Sequence, residues 1–209
     1  MSPLIPKPST ARGTLVELVV IVALAIGLAL LIQAFLVKPY QIPSPSMEPT
    51  LDVGQRVLVD RVSYRFSDPD IGDIVVFHPP QGAVSGSGQQ CGVRPPPNAA
   101  CPQPVDEEAD TNFIKRIVAG PEDRLSIKDG HPVVNSVMAK EGFINPCRGG
   151  TDCDLPKTIT IPPNEYFMMG DNRTPGSSDD SRFWGPVPRD WIIGEAFFTY
   201  WPPDRVGFS

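Results

Sequence analysis

A chain of 209 residues has room for one ordinary domain beyond any membrane segment, and a net charge of -6 argues against nucleic-acid phosphates as a partner, because these need a basic face. Its 26 prolines and 18 glycines separate short β-branched strings, so a mainly β, turn-rich protein is predicted and long soluble helices are not.

The first forty residues differ from the rest. The run "TLVELVVIVALAIGLALLIQAFLV" from Thr14 to Val37 is interrupted by strongly polar side chains only at Glu17 and Gln33. As a helix it extends about 36 Å, enough to cross a hydrocarbon core of about 30 Å. It is too long for the apolar stretch of a cleaved signal peptide and lacks a small-x-small site before a polar start, so a retained anchor in the lipid bilayer is expected. Lys7 and Arg12 precede it, and the positive-inside bias then puts residues 1–13 in the cytoplasm and 38–209 outside the plasma membrane, with Lys38 weakening the count. The four cysteines agree with that placement, since an even set in an exported region forms disulfides and no C-x2-C metal spacing occurs. Three pairings are possible. Cys91 with Cys101 and Cys147 with Cys153 close the shortest loops.

Along the exported part, "GQRVLVDRVSYRF" sets Val57 and Val59 against Arg56, Leu58 and Asp60, the alternation of a half-buried strand, and "GDIVVFHPP" reads as a compact buried strand ended by proline. Residues 79–111 are rich in Pro, Gly and Ser and read as a long loop stapled by its own cysteine pair, with a solvated acidic edge from Asp106 to Asp110. "TNFIKRIVAG" returns to strand character. A second loop-rich section is expected at 126–157, followed by strands in "KTITIPPNEYFMMGDNR" and "DWIIGEAFFTYWPP".

Two histidines, His78 and His131, stand beside no nucleophile, so a Ser-His-Asp arrangement has little support and neither a metal nor a cofactor is expected. In "NFIKRIV" the pleat puts Lys115 on the face of Phe113 and Ile117. Burial there lowers a lysine pKa toward the range of a general base, although a strand lysine taken alone more often snorkels to water. A serine needs such a base to become a nucleophile. The turn "PSPSM" after the apolar run offers Ser44 and Ser46 between Pro43 and Pro45, which stiffen the backbone.

"IPSPSMEPTL", "GDIVVF", "NFIKRIVAGPEDRL" and "GDNRTPGSSDDSRFWGPVP" together resemble, in order, the sequence boxes of bacterial type I signal peptidases, membrane-bound Ser/Lys proteases. With the anchor, the resemblance runs from about Thr14 to Tyr200, broken by the two loop-rich sections. It implies a coiled antiparallel β-sheet catalytic domain, with Ser46 as nucleophile and Lys115 as general base. It also implies that Ser44 joins the Ser46 N–H in an oxyanion hole, that Ser178 orients the lysine, and that Asp180 and Arg182 form a supporting ion pair. Asp171 and Asn172 read as a structural turn. The implied partners are the signal peptides of exported preproteins, and a monomer is expected. Three departures stand out: Pro45 replaces a frequent glycine, "AGPEDRL" replaces the usual ending of its box, and the last box is two residues longer, which makes Ser177 a rival to Ser178. A LexA-like self-cleaving protease shares the Ser/Lys core but lacks an anchor. A non-catalytic anchored β-domain would be signalled by loss of Ser46 or Lys115, and both are present.

Overall fold

A computed structural model describes residues 11–84 and 90–208. Lys7 lies outside the described residues, as do the side chain of Arg12 and part of the 79–111 stretch. Helix α1, Ala11–Phe35, is apolar all round, and its described side chains lie open, Leu24 at 69% exposure for example, instead of packing on the body. A helix with no polar face has no reason to sit in water.

The body is antiparallel β-structure in two sheets. Strands β1 (Val37–Gln41), β2 (Arg56–Asp60), β3 (Ile74–Phe77) and β4 (Phe113–Ala119) belong to the larger one. Strands β5 (Arg124–Lys128), β6 (His131–Val134), β7 (Val137–Met138) and β8 (Leu155–Thr160) form the smaller one. Strand β9 (Glu165–Met169), the short helix α2 (Ser181–Trp184), β10 (Val187–Pro188), β11 (Ile192–Trp201) and β12 (Gly207–Phe208) return to the larger sheet. Its order is β1-β2-β11-β3-β4-β9-β10, with β12 added on β11.

The larger sheet is covered on both faces, and that explains its sequence. Ile74 and Val76 pack with Val57, Val59 and Ala196 under a plug formed by Ile42, Met47 and Leu51. Val75 and Phe77 pack on the other side with Ile117, Met168 and Trp184. Strand β3 is therefore buried at all four positions and carries an unbroken apolar run, whereas β2 alternates. Register shifts in the pairing of β11 with β2 and β3 and of β4 with β9 bend the sheet.

The stretch 126–157, expected to be loop-rich, carries short strands toward its two ends, and 139–154 between β7 and β8 holds no strand. Its strand residues belong to β5 to β8, the smaller sheet, which packs around a separate core of Leu125, Ile127, Ile159 and Phe167. The strands are short, so the apolar alternation was too brief to stand out. The turns were legible: Asp129-Gly130 joins Lys128 to its partner His131 with both central residues at positive φ, 51° and 78°, as a two-residue hairpin requires. Asn135 and Ser136, at 51° and 71°, repeat the device between β6 and β7. Cys91 is bonded to Cys101 and Cys147 to Cys153.

Candidate active site

Ser46 lies in a single 3-10 turn, Pro45–Met47, entered from an extended Ser44. Pro45 suits the first position of such a turn because its φ is already set and its missing N–H would find no partner there. Met47, fully buried, anchors the turn in the plug. From the other side, the Asn172 N–H donates to the Ser46 carbonyl at 3.0 Å and its Nδ2 donates to the Pro45 carbonyl at 3.1 Å. The tight turn at Asp171 and Asn172 thus clasps the serine turn.

Strand β4 brings the lysine. The Lys115 Nζ is 2.8 Å from Ser46 Oγ and donates to the Ile114 carbonyl at 3.2 Å, with only 4% of the residue exposed. Its ammonium also lies 5.4 Å from the centroid of the Phe113 ring. Burial pushes the Lys115 pKa down to about 8, against the opposing pull of Asp180. On the next residue the strand faces the other way, and Arg116 grips Asp171 with two parallel hydrogen bonds of 2.9 and 2.7 Å. Thr50 donates to the same carboxylate at 2.5 Å. One strand therefore holds Lys115 to Ser46 and Arg116 to the turn that clasps it.

Asp180 caps α2 and is fully buried. It accepts from Arg182 at 2.8 and 3.0 Å, from Ser178 Oγ at 2.8 Å and from the Gly170 N–H at 3.2 Å. Burial alone would raise this carboxyl, but the Arg182 guanidinium and the hydrogen bonds outweigh it and hold the pKa below the usual carboxylate range. Ser178 is buried and spends its hydroxyl hydrogen on Asp180, while Ser177 lines the cleft beside the lysine. Ser44 Oγ lies 3.2 Å from Ser46 Oγ. A cleft of about 430 Å³ opens over Ser44, Ser46 and Lys115, walled also by Pro43, Asn112, Phe113 and Asp179.

Three supports escaped the sequence reading. Arg116 was passed over beside a more informative lysine. Arg173, fully buried, pairs with Glu141 at 2.7 Å and donates to the Gly170 carbonyl at 2.6 Å, which ties the turn to the smaller sheet's loops. Gly170 itself is a packing glycine: a Cβ there would sit 2.3 Å from both the Ser46 carbonyl oxygen and Ser178 Oγ. Gly170→Ala is thus expected to shift the Ser46 turn, with a loss of about 1–3 kcal/mol in urea unfolding from overpacking. Misplacing the reacting groups by about 1 Å should also cost about 10²-fold in kcat. Wild-type kcat in the alanine variant would show that the close approach has no catalytic consequence.

A deeply buried lysine against a serine hydroxyl, on a two-sheet β-body, has the chemistry a serine hydrolase needs where lysine stands in for histidine. Residues 15–201 match the signal peptidase family, peptidase S26. The probable signal peptidase I-2 of Synechocystis sp. is 33% identical over 201 residues, covering 96% of this chain and 80% of its own length. The signal peptidase I of Mycobacterium tuberculosis is 32% identical over 228 residues, covering 97% of this chain and 77% of its own. A probable thylakoidal processing peptidase 2 of Arabidopsis thaliana is 39% identical over 182 residues, 87% of this chain but 43% of the plant protein. The chain belongs to the signal peptidase family and is a serine endopeptidase with signal peptidase activity. Neither the LexA-like reading nor a non-catalytic scaffold is favoured by these matches.

Proposed function

We propose that this chain removes signal peptides from exported preproteins with Ser46 as nucleophile and Lys115 as general base. The observation that carries this reading is the 2.8 Å contact between Ser46 Oγ and a lysine whose burial lowers its pKa to about 8. Neutral Lys115 accepts the hydroxyl proton as Oγ attacks the scissile carbonyl, then returns it to the leaving amine. A second round, with water as nucleophile, hydrolyses the acyl-enzyme. Ser46 is the second residue of its turn, where the N–H has no intrahelical carbonyl to bond, and Pro45 has no N–H at all. The donors left for an oxyanion are the Ser46 N–H and the Ser44 hydroxyl. Asp180, held by Arg182 and Ser178, keeps a negative charge near the lysine and fixes the last box behind it, so Ser178 acts on Lys115 through Asp180. Asp171, with Arg116, supports the clasp on the nucleophile turn.

Helix α1 would anchor the enzyme in the bilayer, with residues 1–13 cytoplasmic and the body outside, so that a cleavage site emerging beside the membrane meets Ser46 at the same depth. All the proposed catalytic groups come from one chain, as a monomer requires. Purified protein incubated with a preprotein should release a mature chain whose new N-terminus follows a small residue. Uncleaved preprotein under conditions where a known family member works would overturn the reading.

The role given to Ser44 has its own expected result. A bond to the oxyanion forms mainly in the transition state, so Ser44→Ala should lower kcat about 10²- to 10³-fold with little change in KM. Ser44→Thr should keep more activity, because the hydroxyl survives. Unchanged kcat in steady-state kinetics of Ser44→Ala on an Ala-x-Ala peptide would leave the oxyanion to backbone groups.

A further inference from the structure

Away from the catalytic cleft, a second hollow of about 410 Å³ lies where the chain leaves α1. Its position follows from three contacts. The Arg61 N–H donates to the carbonyl of Leu36, the residue after the helix ends, at 3.0 Å. Strand pairing sets Asp60 opposite both Val37 and Glu195, so Arg61 and the residues just before Glu195 share the helix end of the sheet. Helix α1 has 25 residues, about 37 Å against a hydrocarbon core of about 30 Å, so Leu36 emerges at headgroup level if α1 is the anchor proposed above.

The hollow is lined by Arg61, Arg65 and Arg189 against a single acid, Asp190, with Tyr64 and Trp191 in its wall. Arg189 is fixed: it pairs with Asp68 at 2.7 Å and donates to the carbonyls of Tyr64 and Ser67 at 2.6 and 2.9 Å. The guanidinium groups of Arg61 and Arg65 have no carboxylate or carbonyl partner among the described residues, and both residues are exposed. Beside them Phe66 stands 87% exposed on the same turn. In water an open phenylalanine beside unpaired arginines gains nothing. At a membrane surface the ring enters the interface while each guanidinium fork fits phosphate oxygens, and Tyr and Trp are the aromatic residues favoured at that depth.

We propose that the hollow formed by Arg61, Arg65 and Trp191 beside the membrane exit binds the phosphate group of an anionic lipid headgroup, which fixes how the body sits on the bilayer. The proposal rests on the anchor reading of α1, which resistance of the chain to alkaline carbonate extraction tests separately. For the site itself, the full-length protein in a nonionic detergent would be titrated by calorimetry with dihexanoyl-phosphatidylglycerol, dihexanoyl-phosphatidylcholine and inorganic phosphate. Phosphatidylglycerol should bind about 10- to 30-fold more tightly than phosphatidylcholine, the effect of two arginines near a charged surface. Arg61→Gln with Arg65→Gln should erase that preference while leaving the melting temperature unchanged, since both side chains are exposed. Saturation by phosphatidylglycerol but not by millimolar inorganic phosphate identifies the lipid as the source, and saturation by both identifies phosphate recognition without the lipid body. Equal affinity for the two lipids, or a preference that survives in the double variant, overturns the site.

Discussion

Lys115→Ala and Ser46→Ala should each lower kcat by about 10⁴-fold or more, and the double variant should be no worse than either single, because the two groups act as one unit. Lys115→Arg should be equally inactive, since a guanidinium keeps its proton at any working pH. With the Lys115 pKa lowered to about 8 by burial, kcat/KM should rise with pH and level off above that value. Stability gives an independent readout. The folded protein holds this lysine at about 8 against 10.5 for a solvated lysine, so its burial costs stability in full below pH 8, and the cost disappears as pH rises toward 10.5. Lys115→Met should therefore be more stable than the wild type at pH 7, by up to about 3 kcal/mol, with the gap closing near pH 10. A lysine variant that still processes a preprotein at near wild-type rate removes the mechanism. A stability gap between Lys115→Met and the wild type that is no larger at pH 7 than at pH 10 removes the claim that burial lowers the pKa.

Asp180→Asn should be the most damaging change outside the pair of reacting groups. Arg182 is 5% exposed and its guanidinium depends on this carboxylate, so the variant leaves a buried cation unpaired, at about 3–5 kcal/mol in urea unfolding. Asp180→Leu combined with Arg182→Met should recover most of that loss, because removing both charges removes the desolvation penalty as well. The carboxylate also opposes the depression of Lys115, so in folded Asp180→Asn the rise of kcat/KM should move to lower pH. A pH profile that stays in place would make Asp180 structural only. Since the Asp180 carboxyl is held below its ordinary range, the stability from this pair is complete above the unfolded carboxyl's pKa and is lost as pH falls through the lower folded value. Acid unfolding followed by circular dichroism should therefore begin at higher pH in the wild type than in Asp180→Leu/Arg182→Met.

Local sequence determined the elements that need no distant partner. The apolar run announced α1, which begins at Ala11 and ends at Phe35, two residues short of the predicted Val37 because Val37 is already paired with Asp60 in β1. The unbroken "IVVF" announced a strand covered on both faces, and the prolines of "PSPSM" a stiff turn, since backbone restriction and strand burial are written in adjacent residues. The smaller sheet was missed because strands as short as Val137–Met138 carry almost no period, although its Asp-Gly hairpin was in plain view. What only the tertiary structure decided is the site's geometry and burial. Lys115 and Ser46 are 69 positions apart, and neither side chain reveals in its own neighbourhood that the other will lie 2.8 Å away. Burial of the lysine, the Arg116–Asp171 clasp and the close approach that demands glycine at position 170 all depend on strands packing across the sheet. A pKa depends on what surrounds a group in space, and that surrounding exists only once the chain has folded.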